Sequence, residues 1–141
     1  MNNLERQIVY VDMVADLFHS GHIKFFQKIL DVYPGCKLYV GLMSDEEATI
    51  YKRKPILNIK DRTIIVGACK YVDKVFVDAP MPITKEFIDI NNIDIVIHGD
   101  DISEKSRKYW YKVPIELDIY DEVEYTKENS TTAIINRIRL A

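Results

Sequence analysis

The chain has little of what marks several protein classes. Its 141 residues include two cysteines, Cys36 and Cys69, which form no metal-type pair and leave reduced cytoplasmic thiols as the default. No apolar run approaches the roughly 18 residues of a membrane span. The first residues, Met1-Asn2-Asn3-Leu4-Glu5-Arg6-Gln7, are polar and lack the apolar core of a secretory signal. Positive charge is not in excess. The 19 Lys and Arg against 22 Asp and Glu give a formal net charge of −3, which argues against generic nucleic-acid binding. Repeats, linkers and low-complexity segments are also missing. What remains is one domain over residues 1–141, its 48% apolar content enough for a sizeable core, with a small molecule as ligand.

Apolar runs alternate with helical patterns along the whole length. The pattern predicts strands at about 7–12, 38–43, 74–78, 94–98 and 121–125. Helices are expected at about 22–32, 44–52, 60–71, 84–91 and 131–140. Segments such as Ile93-Asp94-Ile95-Val96-Ile97 are nearly continuous in β-branched residues, as in strands covered on both faces. Ser44 before Asp45-Glu46-Glu47 and Thr84 before Lys85-Glu86 read as N-caps, and Pro34-Gly35 ends the first helix. Cys36 falls at a strand edge and Cys69 in a helix. This alternation implies an α/β fold, a Rossmann-like open parallel five-stranded sheet with helices on both faces. Ligands of such sheets bind beyond the carboxyl ends of the strands, where the strand order reverses.

At that edge, between the first strand and the first helix, stands Asp16-Leu17-Phe18-His19-Ser20-Gly21-His22. Backbone N–H groups point outward at a strand-to-helix turn, and the helix dipole favours an anion there. His19 and His22 flank Gly21, which lets the backbone come close to the bound group. This is the layout of a phosphate site, and a nucleotide is its first candidate ligand. A single histidine at a helix start is more often a cap. A metal site is not expected, because the pair supplies two ligands where zinc takes three or four. Three further groups fall on the same edge: Lys52-Arg53-Lys54, His98-Gly99-Asp100-Asp101 and Ser130-Thr131-Thr132. Taken singly they read as an exposed charge run, a solvated turn and an N-cap.

The histidine run resembles the signature of the cytidylyltransferases that act on phosphocholine, phosphoethanolamine and glycerol 3-phosphate. The likeness spans nearly the whole chain, through Val9-Tyr10-Val11-Asp12, Val40-Gly41-Leu42-Met43-Ser44-Asp45-Glu46, and Arg62 with Lys70-Tyr71-Val72-Asp73-Lys74-Val75. It continues in His98-Gly99-Asp100-Asp101-Ile102 and Ser130-Thr131-Thr132. The H-x-G-H turn alone occurs across a wider superfamily of nucleotidylyltransferases. The resemblance implies transfer of CMP from CTP to a small phosphorylated acceptor, with release of pyrophosphate and a CDP-activated product. His19 and His22 would then hold the triphosphate, Lys52 would contact phosphates, and Arg62 would lie near the nucleotide. Asp100 would accept from the cytosine amino group, and Ser130, Thr131 and Thr132 would meet the β- and γ-phosphates. Asp16 would orient the histidine turn. Mg²⁺ would travel with CTP. A homodimer is implied, with Tyr71-Val72-Asp73 near its interface, and the amphipathic membrane-sensing helix of the larger choline enzymes has no counterpart before Ala141.

Several positions depart from that pattern. Met13-Val14-Ala15 stands where the family usually has Gly-x-Phe, Tyr125 where it has arginine, and Glu128-Asn129 where it has Gly-Ile. These changes weaken the case for efficient CTP binding. They suggest as one alternative a weakly active nucleotide-binding subunit; the other is an adenylyltransferase of the same fold, against which Asp100-Asp101 and Ser130-Thr131-Thr132 count. On the acceptor side, Met81 and Glu104 stand at positions that are aromatic in the choline enzymes. Met81 is a poor wall for a quaternary ammonium, whereas Glu104 suits a primary one. The run Tyr109-Trp110-Tyr111 either lines that pocket or packs a short helix starting at Pro114.

Overall fold

A computed structural model describes residues 6–125 and 130–141. The chain runs β1 (Ile8–Met13), α1 (Ser20–Val32), β2 (Lys37–Leu42), α2 (Asp45–Tyr51), α3 (Ile59–Gly67) and β3 (Lys74–Phe76). It continues with α4 (Lys85–Ile90), β4 (Ile95–Gly99), α5 (Glu104–Trp110), α6 (Lys112–Glu116), β5 (Tyr120–Val123) and α7 (Thr131–Leu140). The five strands form one parallel sheet in the order β3-β2-β1-β4-β5. The chain moves outward from β1 through β2 to β3, then returns to place β4 on the other side of β1. The order therefore reverses between β1 and β4, and a crevice opens beyond their carboxyl ends.

Both faces of the sheet are buried. Successive side chains of a strand point to opposite faces, and β1 divides its residues in that way. Val9 and Val11 join Phe25, Phe26, Ile29, Leu38 and Val66 in one core. Tyr10 joins Ile83, Ile88, Ile93, Val96 and Tyr111 in the other. Helix α1 meets the first core through His22, Phe25, Phe26 and Ile29, an i, i+3, i+4, i+7 stripe. Ser44, Thr84 and Ser130 are side-chain N-caps.

Some element bounds differ from the sequence expectation. Helix α3 stops at Gly67, a residue unfavourable in helices, so Cys69 lies in the following turn. Helix α5 was not foreseen, because none of its residues is buried and its sequence carries no apolar period. Tyr109 and Trp110 belong to α5, and α6 begins at Lys112, with Pro114 third. Proline is tolerated there because the first turn needs no donor from it. Glu128 and Asn129 lie outside the described residues.

Candidate active site

The loop from Met13 to His19 turns sharply to enter α1. Ala15 (φ 55°) and Leu17 (φ 49°) adopt the left-handed conformation on either side of Asp16. Non-glycine residues rarely do so, and such strain persists only where surrounding contacts fix it. Asp16 supplies them. Its buried carboxylate accepts from the N–H of Ile56 (2.8 Å) and of Leu57 (2.9 Å), and its carbonyl accepts from Thr131 Oγ1 (2.8 Å). One residue thus ties the β1 turn to the loop after α2 and to the start of α7.

The two histidines cap α1 themselves. His19 is the N-cap, and its Nδ1 accepts from the Gly21 N–H at 3.0 Å. His22 reaches back, its Nδ1 accepting from the His19 N–H at 3.1 Å. A neutral imidazole that accepts at Nδ1 carries its proton at Nε2. Both rings, 4.0 Å apart between centroids, therefore present an Nε2–H donor, and His19 Nε2 is buried with no partner. Burial lowers the pKa of His19. His22 is held down to about 3 by burial first, then by His19 and Lys52. Both imidazoles are neutral donors at pH 7, and capping occupies Nδ1 of each ring and leaves Nε2–H available to a ligand.

A cavity of about 340 Å³ opens over this turn at the β1–β4 crevice. His19, His22 and Asp16 line it together with Lys52, Arg53, Asp101 and Ser130 to Thr132. Lys52 is the C-cap of α2, where a cation suits the helix dipole. Ser130 Oγ accepts from the Ala133 N–H and keeps its own proton to donate. Thr132 Oγ1 likewise accepts, from Arg53 Nη1, so its proton is also free. The Thr131 hydroxyl has spent its proton on Asp16, and Thr131 offers an anion only its backbone N–H.

The cytidylyltransferase-like family matches this chain over residues 12–137. The chain belongs to that family. This cytidylyltransferase-like domain is 37% identical over 139 residues to ethanolamine-phosphate cytidylyltransferase of Dictyostelium discoideum, covering 94% of the chain and 38% of that protein. It is 37% identical over 131 residues to choline-phosphate cytidylyltransferase A of Rattus norvegicus, covering 92% of the chain and 36% of that protein. It thus spans little over a third of the length of these relatives. The lipopolysaccharide core biosynthesis protein from Thermoplasma volcanium GSS1 shares the fold, with a TM-score of 0.69 over 89% of this chain and 100% of that one, at 21% identity.

Most other residues singled out in the domain's sequence stand elsewhere. Arg62 is fully buried, its guanidinium donating to Leu57 O, Val14 O and the Asp45 carboxylate (2.7 Å). It braces the two loops of the crevice and does not line the cavity. Asp100 turns away and accepts from the Tyr125 N–H at 3.0 Å, whereas Asp101 faces the cavity. Met81 does not reach the cavity. Glu104 pairs with Lys108 at 2.9 Å in solvent, and Tyr109 is 61% exposed against Trp110. Tyr125 lines the cavity and packs on Phe25, 5.3 Å between ring centroids.

Several lining residues, Asp12, Tyr51, Arg53 and His98 among them, were not singled out individually from sequence. Asp12, the last inward position of β1, is buried, and burial raises its pKa. Its Oδ1 accepts from the Tyr111 hydroxyl, while Oδ2 is buried without a partner. Tyr51 and His98 line the cavity with it. A carboxylate ending an otherwise apolar strand was the one signal that could have identified Asp12. Tyr51 closes a helix, a setting that is not distinctive, whereas His98 stands in the run His98-Gly99-Asp100-Asp101 that the sequence places at this edge.

Proposed function

We propose that this domain transfers CMP from CTP to a small phosphorylated acceptor. The observation that carries this reading is the paired Nε2–H donors of His19 and His22, facing a cavity also lined by Lys52 and the start of α7. An acceptor phosphate oxygen attacks the α-phosphorus in line. The bond from that phosphorus to the bridging β-phosphate oxygen breaks, and pyrophosphate leaves with the electron pair. A phosphate monoester is already anionic at pH 7, so catalysis is positioning and charge stabilisation. The two imidazoles donate to the oxygens on which charge grows, and loss of one such donor costs about 10²–10³ in rate. Lys52 bridges nucleotide and acceptor as a mobile point charge. Mg²⁺ enters this reading as the counter-ion of the nucleotide, shielding its phosphates.

The acceptor, in the same reading, carries an ammonium group. Asp12 Oδ2 is an unpartnered carboxylate oxygen in the cavity wall, with Tyr51 and His98 beside it. A primary ammonium can satisfy it with a charge-assisted hydrogen bond. The names of the relatives, which act on ethanolamine phosphate and choline phosphate, agree with a phospho-base. A homodimer formed near Tyr71-Val72-Asp73 is part of the proposal, with the exposed Ile64, Ile65 and Val77 as apolar surface flanking that segment in sequence.

The test is pyrophosphate release by the purified chain, with CTP or ATP and with phosphoethanolamine, phosphocholine or glycerol 3-phosphate. CTP with phosphoethanolamine is expected to react fastest. Preference for ATP would move the domain to adenylyl transfer. No release with any pair would leave a binding subunit.

A further inference from the structure

Among the described residues, two side chains of fixed positive charge line the cavity, Lys52 and Arg53. They serve different sides. Lys52 lies toward the histidine turn, because its charge helps hold the His22 pKa down. Arg53 crosses to the other wall and donates from Nη1 to Thr132 Oγ1 (3.3 Å) in the first turn of α7. That bond fixes the plane of the guanidinium and uses one of its two outer nitrogens. Arg53 Nε is buried and has no partner.

In a planar guanidinium, Nε–H and the nitrogen not bonded to Thr132 lie along one edge. That edge matches two oxygens of one oxyanion, which a lysine cannot do. A charged donor buried without a partner is unfavourable until something binds it. The ten-residue helix α7 starts beside it, with its N-terminal N–H groups turned to the same space and Ser130 and Thr132 able to donate. Arg62, the arginine expected near the ligand, has its guanidinium committed to Leu57, Val14 and Asp45.

We propose that Arg53 binds the terminal phosphates of the nucleotide bidentately through its free edge, across the cavity from Lys52. This rests on the CTP reading above and deepens it by naming which group holds the leaving pyrophosphate. Lys52 and the histidines then face the α-phosphate, and Arg53 with the start of α7 faces the two phosphates that depart. A guanidinium at that place stabilises the charge that the leaving group gains as the bond breaks.

The experiment compares wild-type, Arg53→Gln and Arg53→Lys for binding of inorganic pyrophosphate, CTP and CMP by calorimetry, with thermal melts as a check on folding. Arg53→Gln is expected to weaken pyrophosphate and CTP by about tenfold to a hundredfold. CMP has no terminal phosphates, so its affinity should change by no more than about twofold on the same logic. Arg53→Lys keeps the charge and loses the fork, and should fall between the two. An unchanged pyrophosphate affinity in Arg53→Gln overturns the proposal, as does an equal loss for CMP. If Arg53→Gln fails to fold, wild-type affinity in Arg53→Lys overturns it. Failure of the CTP reading is separable, since a wild-type chain that binds pyrophosphate through Arg53 but never turns over CTP loses the reaction and keeps the anion site.

Discussion

Replacing Asp16 by asparagine tests how the crevice is built. The carboxylate accepts two backbone N–H bonds, from Ile56 at 2.8 Å and Leu57 at 2.9 Å. Asparagine has nearly the same shape but only one oxygen, so its amide group must face one of the two N–H donors. A hydrogen bond to a charged group contributes about 1.5–3 kcal/mol, and the remaining neutral bond about 1 kcal/mol. Ile56 is exposed, so its N–H can turn to water and recover part of the loss. The net cost expected for Asp16→Asn is about 2 kcal/mol. For a chain of this length that lowers Tm by about 4–10 °C and leaves the protein folded at room temperature. The loop that Asp16 anchors carries Lys52 and Arg53, and misplacing such groups by about 1 Å can cost 10² in rate. Activity should therefore fall much further than the folded fraction. Circular dichroism melts and pyrophosphate release on the same samples measure both quantities. An unchanged Tm with unchanged kcat/KM would refute the anchoring role.

Three other perturbations separate structural from chemical roles. Arg62→Met removes a fully buried guanidinium and strands two carbonyls, while the 37% exposed Asp45 carboxylate can turn to water, so denaturant titration should show a loss of about 2–4 kcal/mol. A changed KM for CTP with full stability would instead restore Arg62 to the ligand. Tyr10→Phe removes a buried hydroxyl without a partner, and the same titration should show stability unchanged or raised by about 1 kcal/mol. A clear loss would mean that the hydroxyl is bonded after all. His22 sets a pH dependence with a definite sign. Its pKa falls from 6.5 in the unfolded chain to about 3 in the folded one, so the unfolded chain takes up a proton first. Stability is then complete above 6.5 and falls as acid is added across that window, by up to about 1.4 kcal/mol per pH unit. Asp12, pushed up by burial, acts in the opposite sense in both proteins. The stability gap between wild-type and His22→Asn should therefore narrow toward acid, and a constant gap would contradict the assignment.

Strands β1, β2 and β4 were legible because each is mostly a short run of apolar or β-branched residues bounded by turns, whereas β5, with Asp121 and Glu122 at its centre, carries a weaker signal. The histidine turn was legible for a related reason, since a strand, a short polar run and an amphipathic stripe fix the place of His19 and His22. What pattern could not supply was direction. Arg62 and Arg53 are both arginines near polar loops, yet Arg62 shares a helix face with buried Val66, at i and i+4, and is drawn into the core. Arg53 lies beyond the end of α2 and is left for the cavity. Asp100 and Asp101 are neighbours whose side chains diverge, and only the fold decides which faces the crevice. Proton positions on the imidazoles were equally hidden, because they follow from backbone bonds within a single turn of α1. Glu104 looked available for an ammonium until α5 formed and paired it with Lys108 one turn later.

A crystal structure of the chain with CTP bound bears most directly on the histidine turn. The expected result is a triphosphate seated over α1, with Nε2 of His19 and of His22 each about 3 Å from phosphate oxygens. A nucleotide held elsewhere on the surface, or imidazoles that bond the ligand through Nδ1 after releasing their caps, would contradict it.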